Sequence, residues 1–248
     1  MKVSINTAVF LTDLQAQTSQ LDCLRRLTDS AIAAIEVRGE FFKPKTKDAE
    51  LAAISTLCQQ QHWQFYYSVP EELFQGDHLN PTLAATLKMA QQYHIKALKF
   101  SLGNITNITT ADLIALRQQL AATTIQVTIE NQPNANGILA TFAQRLAWLK
   151  QQQLPLGYTF DAGNWCWVAT DPLAAFMQVQ PAITIFHLKA IRARTTVLLD
   201  TQPADWQQML NRLAADIPVF LEYAIPAEQL AAQIALVNQQ LVQRQALL

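Results

Sequence analysis

Eight short runs rich in β-branched and aromatic residues alternate along this chain with longer Ala-, Leu- and Gln-rich stretches. The runs cover residues 3–10, 34–39, 64–70, 97–103, 126–133, 156–163, 183–190 and 218–225. From the second run on, their ends fall at Gly39, Pro70, Gly103, Gln132, Gly163, Ala190 and Ala224, 27 to 34 residues apart. That period fits a strand, a loop and a helix per unit. The intervening stretches carry helix signals. Thr109 to Asp112 resembles a helix start, followed by Leu113, Leu116 and Leu120 at helical spacing. Asp171 precedes Pro172, placing a capping side chain before a proline suited to the first helical position. Ile138, Phe142, Leu146 and Leu149 form one inward stripe. Leu230, Ile234, Val237 and Leu241 form another, on a final helix from about 227 to 243.

Eight such units predict an α/β fold, a single-domain (β/α)8 TIM barrel over residues 1–248, rather than an open sheet. The length of 248 residues is close to the usual size of that barrel. A doubly wound sheet calls for a glycine-rich nucleotide loop after its first strand, and this chain has Phe10, Leu11, Thr12 and Asp13 there. No phosphate-binding loop or nucleophile elbow occurs elsewhere.

Composition narrows the function. Half of the residues are hydrophobic and 15% are charged, so a large core is available. The net charge of −1 argues against a dedicated nucleic-acid surface. Cys23, Cys58 and Cys166 lie far apart and make no CxxC pair, which reads as reduced thiols of a cytoplasmic protein. The N-terminal segment has no apolar run of signal-peptide length, and no stretch reaches transmembrane length, so no membrane partner is expected.

The candidate chemistry sits at the ends of four successive strands. Glu130, Asp161, His187 and Glu222 each close an apolar run. Desolvating such a side chain is costly unless it is paired or bound to a cation. Side chains alternate along a strand, so Thr128 with Glu130, Thr159 with Asp161, Ile185 with His187 and Phe220 with Glu222 share the inward face. Each candidate is then the last inward residue before its loop, on the face where barrel enzymes carry their sites. Three carboxylates and one imidazole make a hard donor set suited to Mn²⁺, Mg²⁺ or Co²⁺, with Zn²⁺ also compatible. A lone strand-end Glu is more often an ion-pair partner, and a lone His a satisfied core residue. Four at equivalent register favour one metal.

Further residues are candidates for contact with the reactant. Glu36 is expected to face inward from strand 2, the plainer alternative being an ion pair with Arg38 or a lysine. Lys189 shares the face of His187 and could hold an oxyanion, or else pair with a ligand carboxylate. Asn164, Trp165 and Trp167, and Phe41 and Phe42, fall on loops where aromatics could stack on a ring or exclude water, or simply pack. Arg192 and Arg194 follow strand 7 and could meet a phosphate. No glycine occurs after Gly163, however, so a backbone phosphate cradle is disfavoured.

With these residues in place the chain resembles the xylose-isomerase-like barrels, which include sugar epimerases, ketose isomerases, inositol-pathway enzymes and the type IV AP endonucleases. The resemblance spans the whole chain. It is sharpest at Ile129-Glu130-Asn131, Phe160 to Asn164, Phe186 to Lys189 and Leu221-Glu222-Tyr223. It implies that Glu130, Asp161, His187 and Glu222 are metal ligands, and that Glu130 and Glu222 also exchange protons with the substrate. Two departures stand out. Asn164 holds the position of a frequent family histidine, and Ala190 that of a frequent aspartate. The extra histidines of a three-metal cluster are missing, since His62, His78 and His94 lie off the strand ends. The resulting expectation is a one-metal isomerase or epimerase of a small sugar, polyol or sugar derivative. Glu130, Glu222 and Lys189 would carry the chemistry, and Glu36, Asn164, Trp165, Trp167 and Arg192 would contact substrate. The alternatives are a metal-dependent lyase or hydrolase, such as a keto-inositol dehydratase or an AP-endonuclease-like enzyme, and a degenerate ligand-binding barrel. The oligomeric state stays open, a homo-oligomer included.

Overall fold

The structure is a computed structural model that describes residues 1–200 and 204–245. Eight parallel strands are joined edge to edge: β1 (Ser4–Asn6), β2 (Ala34–Arg38), β3 (Gln64–Gln75), β4 (Ala97–Gly103), β5 (Gln126–Glu130), β6 (Leu156–Asp161), β7 (Ile183–Leu188) and β8 (Val219–Leu221). Strand β1 pairs with both β2 and β8, which closes the sheet into a barrel. Each strand is followed by a crossover helix: α1 (Gln20–Arg25), α2 (Lys47–Gln61), α3 (Leu83–Gln92), α4 (Thr110–Ala121), α5 (Leu139–Gln151), α6 (Pro172–Val179), α7 (Asp205–Arg212) and α8 (Ala227–Gln245). The expected single-domain TIM barrel is the observed fold. Among the described residues, no helix is long and apolar enough to cross a membrane.

The helix signals have clear physical counterparts. Thr109 and Asp112 form a capping box at the start of α4. The Asp171 side chain accepts from the Ala174 amide at the start of α6, with Pro172 in the first turn. Leu230, Ile234, Val237 and Leu241 are all buried along α8. The α5 stripe is shorter than expected. Phe142 and Leu149 are buried, but Ile138 is 49% exposed because it precedes the first helical turn.

Strand ends differ from the sequence pattern, most of all in β1, β3 and β8. Strand β1 ends at Asn6, whose side chain accepts from the Ala8 amide and turns the chain into a 3-10 turn over Thr7–Phe10. Strand β8 is also short, so Glu222 lies just beyond its last residue. Strand β3 instead continues through Pro70 to Gln75, with a register shift against β4 between Ser68 and Glu72. Its tip pairs with His78–Leu79.

The barrel interior is layered. Ala34, Tyr66, Ala97, Ile185 and Phe220 form an apolar cluster inside it. The Thr128 and Thr159 hydroxyls, 2.8 Å apart, satisfy each other in the interior. Two residues further along the same strands, the inward side chains become Glu36, Ser68, Lys99, Glu130, Asp161, His187 and Glu222. All seven are buried. The outward residues Phe160 and Phe186 stack at 5.3 Å and pack with Phe176, and Phe160 also packs against Trp165. The apolar mass therefore lies below and outside a polar upper layer, which it holds in fixed register.

Candidate active site

One atom from each of Glu130, Asp161, His187 and Glu222 can be chosen so that all lie within 4.8 Å of one another. Among the described residues this is the group that could hold a metal ion. His62, His78 and His94 are not part of it. The donor set is buried, has three hard oxygen donors and one imidazole, and converges from four neighbouring strand ends. Those properties fit a divalent cation.

Protein cations also enter the cluster. Lys189 Nζ lies 2.7 Å from Asp161 Oδ2 and 3.1 Å from Glu222 Oε2. Lys99 Nζ lies 2.8 Å from Glu130 Oε1 and 3.7 Å from Glu222 Oε1. Arg38 reaches Glu222 at 3.5 Å and pairs with Glu40 at 2.7 Å. His187 Nδ1 is 3.0 Å from Glu222 Oε2 and 3.3 Å from Glu130 Oε1. Its Nε2 is 3.0 Å from Glu36 Oε2. Burial alone would drive these groups toward neutrality, but the mutual attractions win for most of them. Glu222 is held well below the usual carboxylate range by His187, Lys189 and Lys99, and Glu130 is lowered chiefly by Lys99. Lys99 stays above the usual lysine range because of Glu130 and Glu222, and Lys189 because of Asp161 and Glu222. Glu222 and Glu36 hold His187 well above its ordinary value. Asp161 goes the other way. Burial pushes its carboxyl up to about 7 despite Lys189, with Glu222 and Glu130 adding repulsion.

A local network fixes the Asp161 end. Asp161 Oδ1 accepts from the amides of Gly163 at 2.8 Å and Asn164 at 3.0 Å. Asn131 donates to the Asp161 carbonyl and accepts from the Asp161 amide and the Tyr158 hydroxyl. Gly163 must lack a side chain, since a Cβ there would lie 2.4 Å from the Lys189 stem.

The expected substrate contacts separate into different places. Glu36 does face inward, but its carboxylate meets His187 and Asn6 and not Arg38. Asn164 is buried and spends its amide on the Asn131 carbonyl at 2.9 Å. Trp165 is fully buried and packs against Phe142 and Phe160, so it is a core residue and not a rim aromatic. The short turn Asn164–Trp167 folds it inward and leaves Trp167 43% exposed. Arg192 sits on a hairpin after β7 and pairs with Asp200 at 3.0 Å. Phe42 is buried against Tyr67.

Lys99 and Asn6 were not singled out from the sequence. Lys99 had a usable signal, a charged residue in the middle of the apolar run ALKFSLG and in register with Ser101. Two cavities flank the cluster. One, of about 490 Å³, is polar and bounded by Arg38, Glu40, Ser68, Lys99, Ser101 and Glu130, among others. The other, of about 370 Å³, lies under the β7 hairpin and is bounded by Ala162, Cys166, Lys189, Arg192 and Trp206, among others. Both fall in the size range of small-molecule sites, roughly 300–1,000 Å³.

No family model matches the chain, and no curated protein does. Solved structures do. A D-tagatose 3-epimerase-like protein superposes with a TM-score of 0.69 at 13% identity, covering 98% of this chain and 97% of the other. The probable 3-DHS dehydratase AsbF of Bacillus anthracis gives 0.65 at 17% identity over 96% and 98%. An AP endonuclease, family 2, from Brucella melitensis gives 0.63 at 12% identity over 95% and 97%. Likeness at these identities establishes the shared barrel fold.

Proposed function

We propose that this protein is a divalent-metal-dependent isomerase or epimerase of a small sugar, polyol or sugar derivative. The observation that carries this reading is the convergence of Glu130, Asp161, His187 and Glu222 beside a polar cavity at the carboxyl ends of the strands. The similarity in fold to a D-tagatose 3-epimerase-like protein and to a D-psicose 3-epimerase supports it. Those four residues would hold the ion, which supplies Lewis acidity toward the substrate's oxygens and so lowers the pKa of the adjacent C–H.

The remaining steps belong to the chain. Glu130 borders the polar cavity, and only its Oε1 is engaged by Lys99 and His187. One of Glu130 and Glu222 takes the proton from the carbon beside the carbonyl, and the other returns it. Lys189 and Lys99, charged and buried on either side, offset the negative charge of the enediolate between the two transfers. Asn131, Gly163 and Asn164 keep Asp161 in place. A substrate with several hydroxyls suits this cavity, whose wall is mainly polar, with Ser68, Ser101, Glu71 and Glu72 beside Val69 and Pro70.

The test has two stages. Metal analysis of freshly purified protein should find one equivalent of a divalent ion. Candidate sugars are then incubated in D₂O. An isomerase or epimerase incorporates a carbon-bound deuteron, whereas a dehydratase eliminates water and a pure binder leaves the sugar unchanged. Turnover without deuterium entry, or protein that takes up no cation, refutes the proposal.

A further inference from the structure

We infer that Glu36 is a positioning residue that fixes which ring nitrogen of His187 faces the ligand cluster. This role rests on the metal reading above. Glu36 Oε2 lies 3.0 Å from His187 Nε2, and the two side chains are 1% and 0% exposed. The other Glu36 oxygen accepts from Asn6 Nδ2 at 3.1 Å. The same Asn6 amide reaches Glu222 Oε1 at 3.2 Å, and the Asn6 oxygen accepts from the Ala8 amide at 2.8 Å. Both ends of the Glu36 carboxylate are therefore occupied, and the group has no room to turn away.

Both ring nitrogens face carboxylates, but a cation held by Glu130, Asp161 and Glu222 would displace a proton only from Nδ1, the nitrogen on their side, and leave the one on Nε2, which Glu36 accepts. The lone pair available to a cation is then on Nδ1, the nitrogen 3.0 Å from Glu222 and 3.3 Å from Glu130. A carboxylate behind a ligating histidine sets its tautomer and ring plane and increases its strength as a donor. The residues involved come from β1, β2, β7 and the end of β8, which are consecutive around the barrel. The chain of contacts thus ties the ligand histidine across the seam where the first and last strands meet. Glu36 acts through His187 and is not placed to touch the substrate, because His187 and Asn6 take both of its oxygens.

Glu36→Asp and Glu36→Gln are the test variants. Aspartate keeps the charge but withdraws the carboxylate by about 1.5 Å, one C–C bond. Co²⁺ is titrated into metal-free protein, and its visible absorption reports both affinity and ligand geometry. Both variants should bind Co²⁺ about 10- to 100-fold more weakly than wild type, with an altered spectrum, as is usual for a lost outer partner of a ligand histidine. If Glu36→Asp binds as wild type does and only Glu36→Gln is weakened, Glu36 supplies charge and not orientation, and the inference fails. Independently of any metal, the wild-type proton spectrum should contain a slowly exchanging, downfield imidazole N–H from His187. That resonance should move or vanish in either variant, and its absence from wild type would overturn the contact even if the variants do not fold. Wild-type protein that takes up no Co²⁺ overturns the proposed function itself. Normal uptake with an unchanged Glu36→Asp overturns only the role of Glu36.

Discussion

Replacing Lys189 by methionine removes one ammonium from the cluster and keeps most of its apolar stem. The lost contacts are those at 2.7 Å to Asp161 and 3.1 Å to Glu222, all between side chains at most 16% exposed. Breaking a buried ion pair by deleting one partner costs about 3–5 kcal/mol, because the other charge is left uncompensated. Asp161 can relieve part of this by taking up a proton, since burial already pushes its carboxyl up to about 7. The lower end, about 3 kcal/mol, is therefore expected near neutral pH. For a chain of this size each kcal/mol shifts Tm by roughly 2–4 °C, so chelator-treated Lys189→Met should melt about 6–12 °C below wild type. A divalent ion among the same carboxylates replaces the missing charge. In wild type, ligand at 100 times its Kd adds about 2.7 kcal/mol by mass action. In the variant it also relieves the unpaired Asp161 and Glu222, so the gap in Tm should narrow when Mn²⁺ is present. Differential scanning calorimetry with chelator and with Mn²⁺ reads both effects. A gap that is the same in both conditions would show that the ion does not sit at these carboxylates. A gap under about 2 °C with chelator would show that Lys189 is not their counter-charge.

Four further outcomes are expected. Asp161→Ala and His187→Ala should each abolish tight metal uptake, and retention of a full equivalent in both refutes the ligand set. Metal affinity should fall as pH is lowered through about 7, because Asp161 must be ionised to bind and His187, held well above its usual value, must release a proton. Proton release on binding, followed calorimetrically in two buffers of different ionisation enthalpy, checks that sign, and a pH-independent affinity contradicts it. Once a substrate is known, Glu130→Gln and Glu222→Gln should each lower turnover by roughly 100-fold or more with the metal still bound; near-wild-type turnover in either removes the two-base mechanism. Trp165→Ala should cost about 3–5 kcal/mol in denaturant unfolding, as expected for a large core side chain, and a loss of substrate binding at unchanged stability would return Trp165 to the site wall.

The eight-unit barrel was legible in the sequence because its evidence is periodic. Strands buried on both faces read as apolar runs, the crossover helices show their caps at Thr109 and Asp171, and the spacing repeats. The inward register of Glu130, Asp161, His187 and Glu222 was legible for a related reason. Alternation along a strand is a local property, and each of these residues stands two positions beyond an inward neighbour. What the sequence could not supply was the direction of side chains outside that alternation, or the pairing between strands far apart in the chain. Trp165 and Trp167 look alike as loop aromatics, yet one four-residue turn buries the first among Phe142 and Phe160 and exposes the second. Glu36 and His187 are 151 positions apart, and nothing local says that closure of the barrel brings β2 and β7 to either side of β1 and β8. Lys99 faces Glu130 because neighbouring strands are staggered in register, and Asn6 bridges Glu36 to Glu222 because the first and last strands meet. The proposed ligand set was therefore written into the chain by period and alternation. Its counter-charges and supports were decided only when the sheet closed, since electrostatic partners depend on distance in space and not on separation along the sequence.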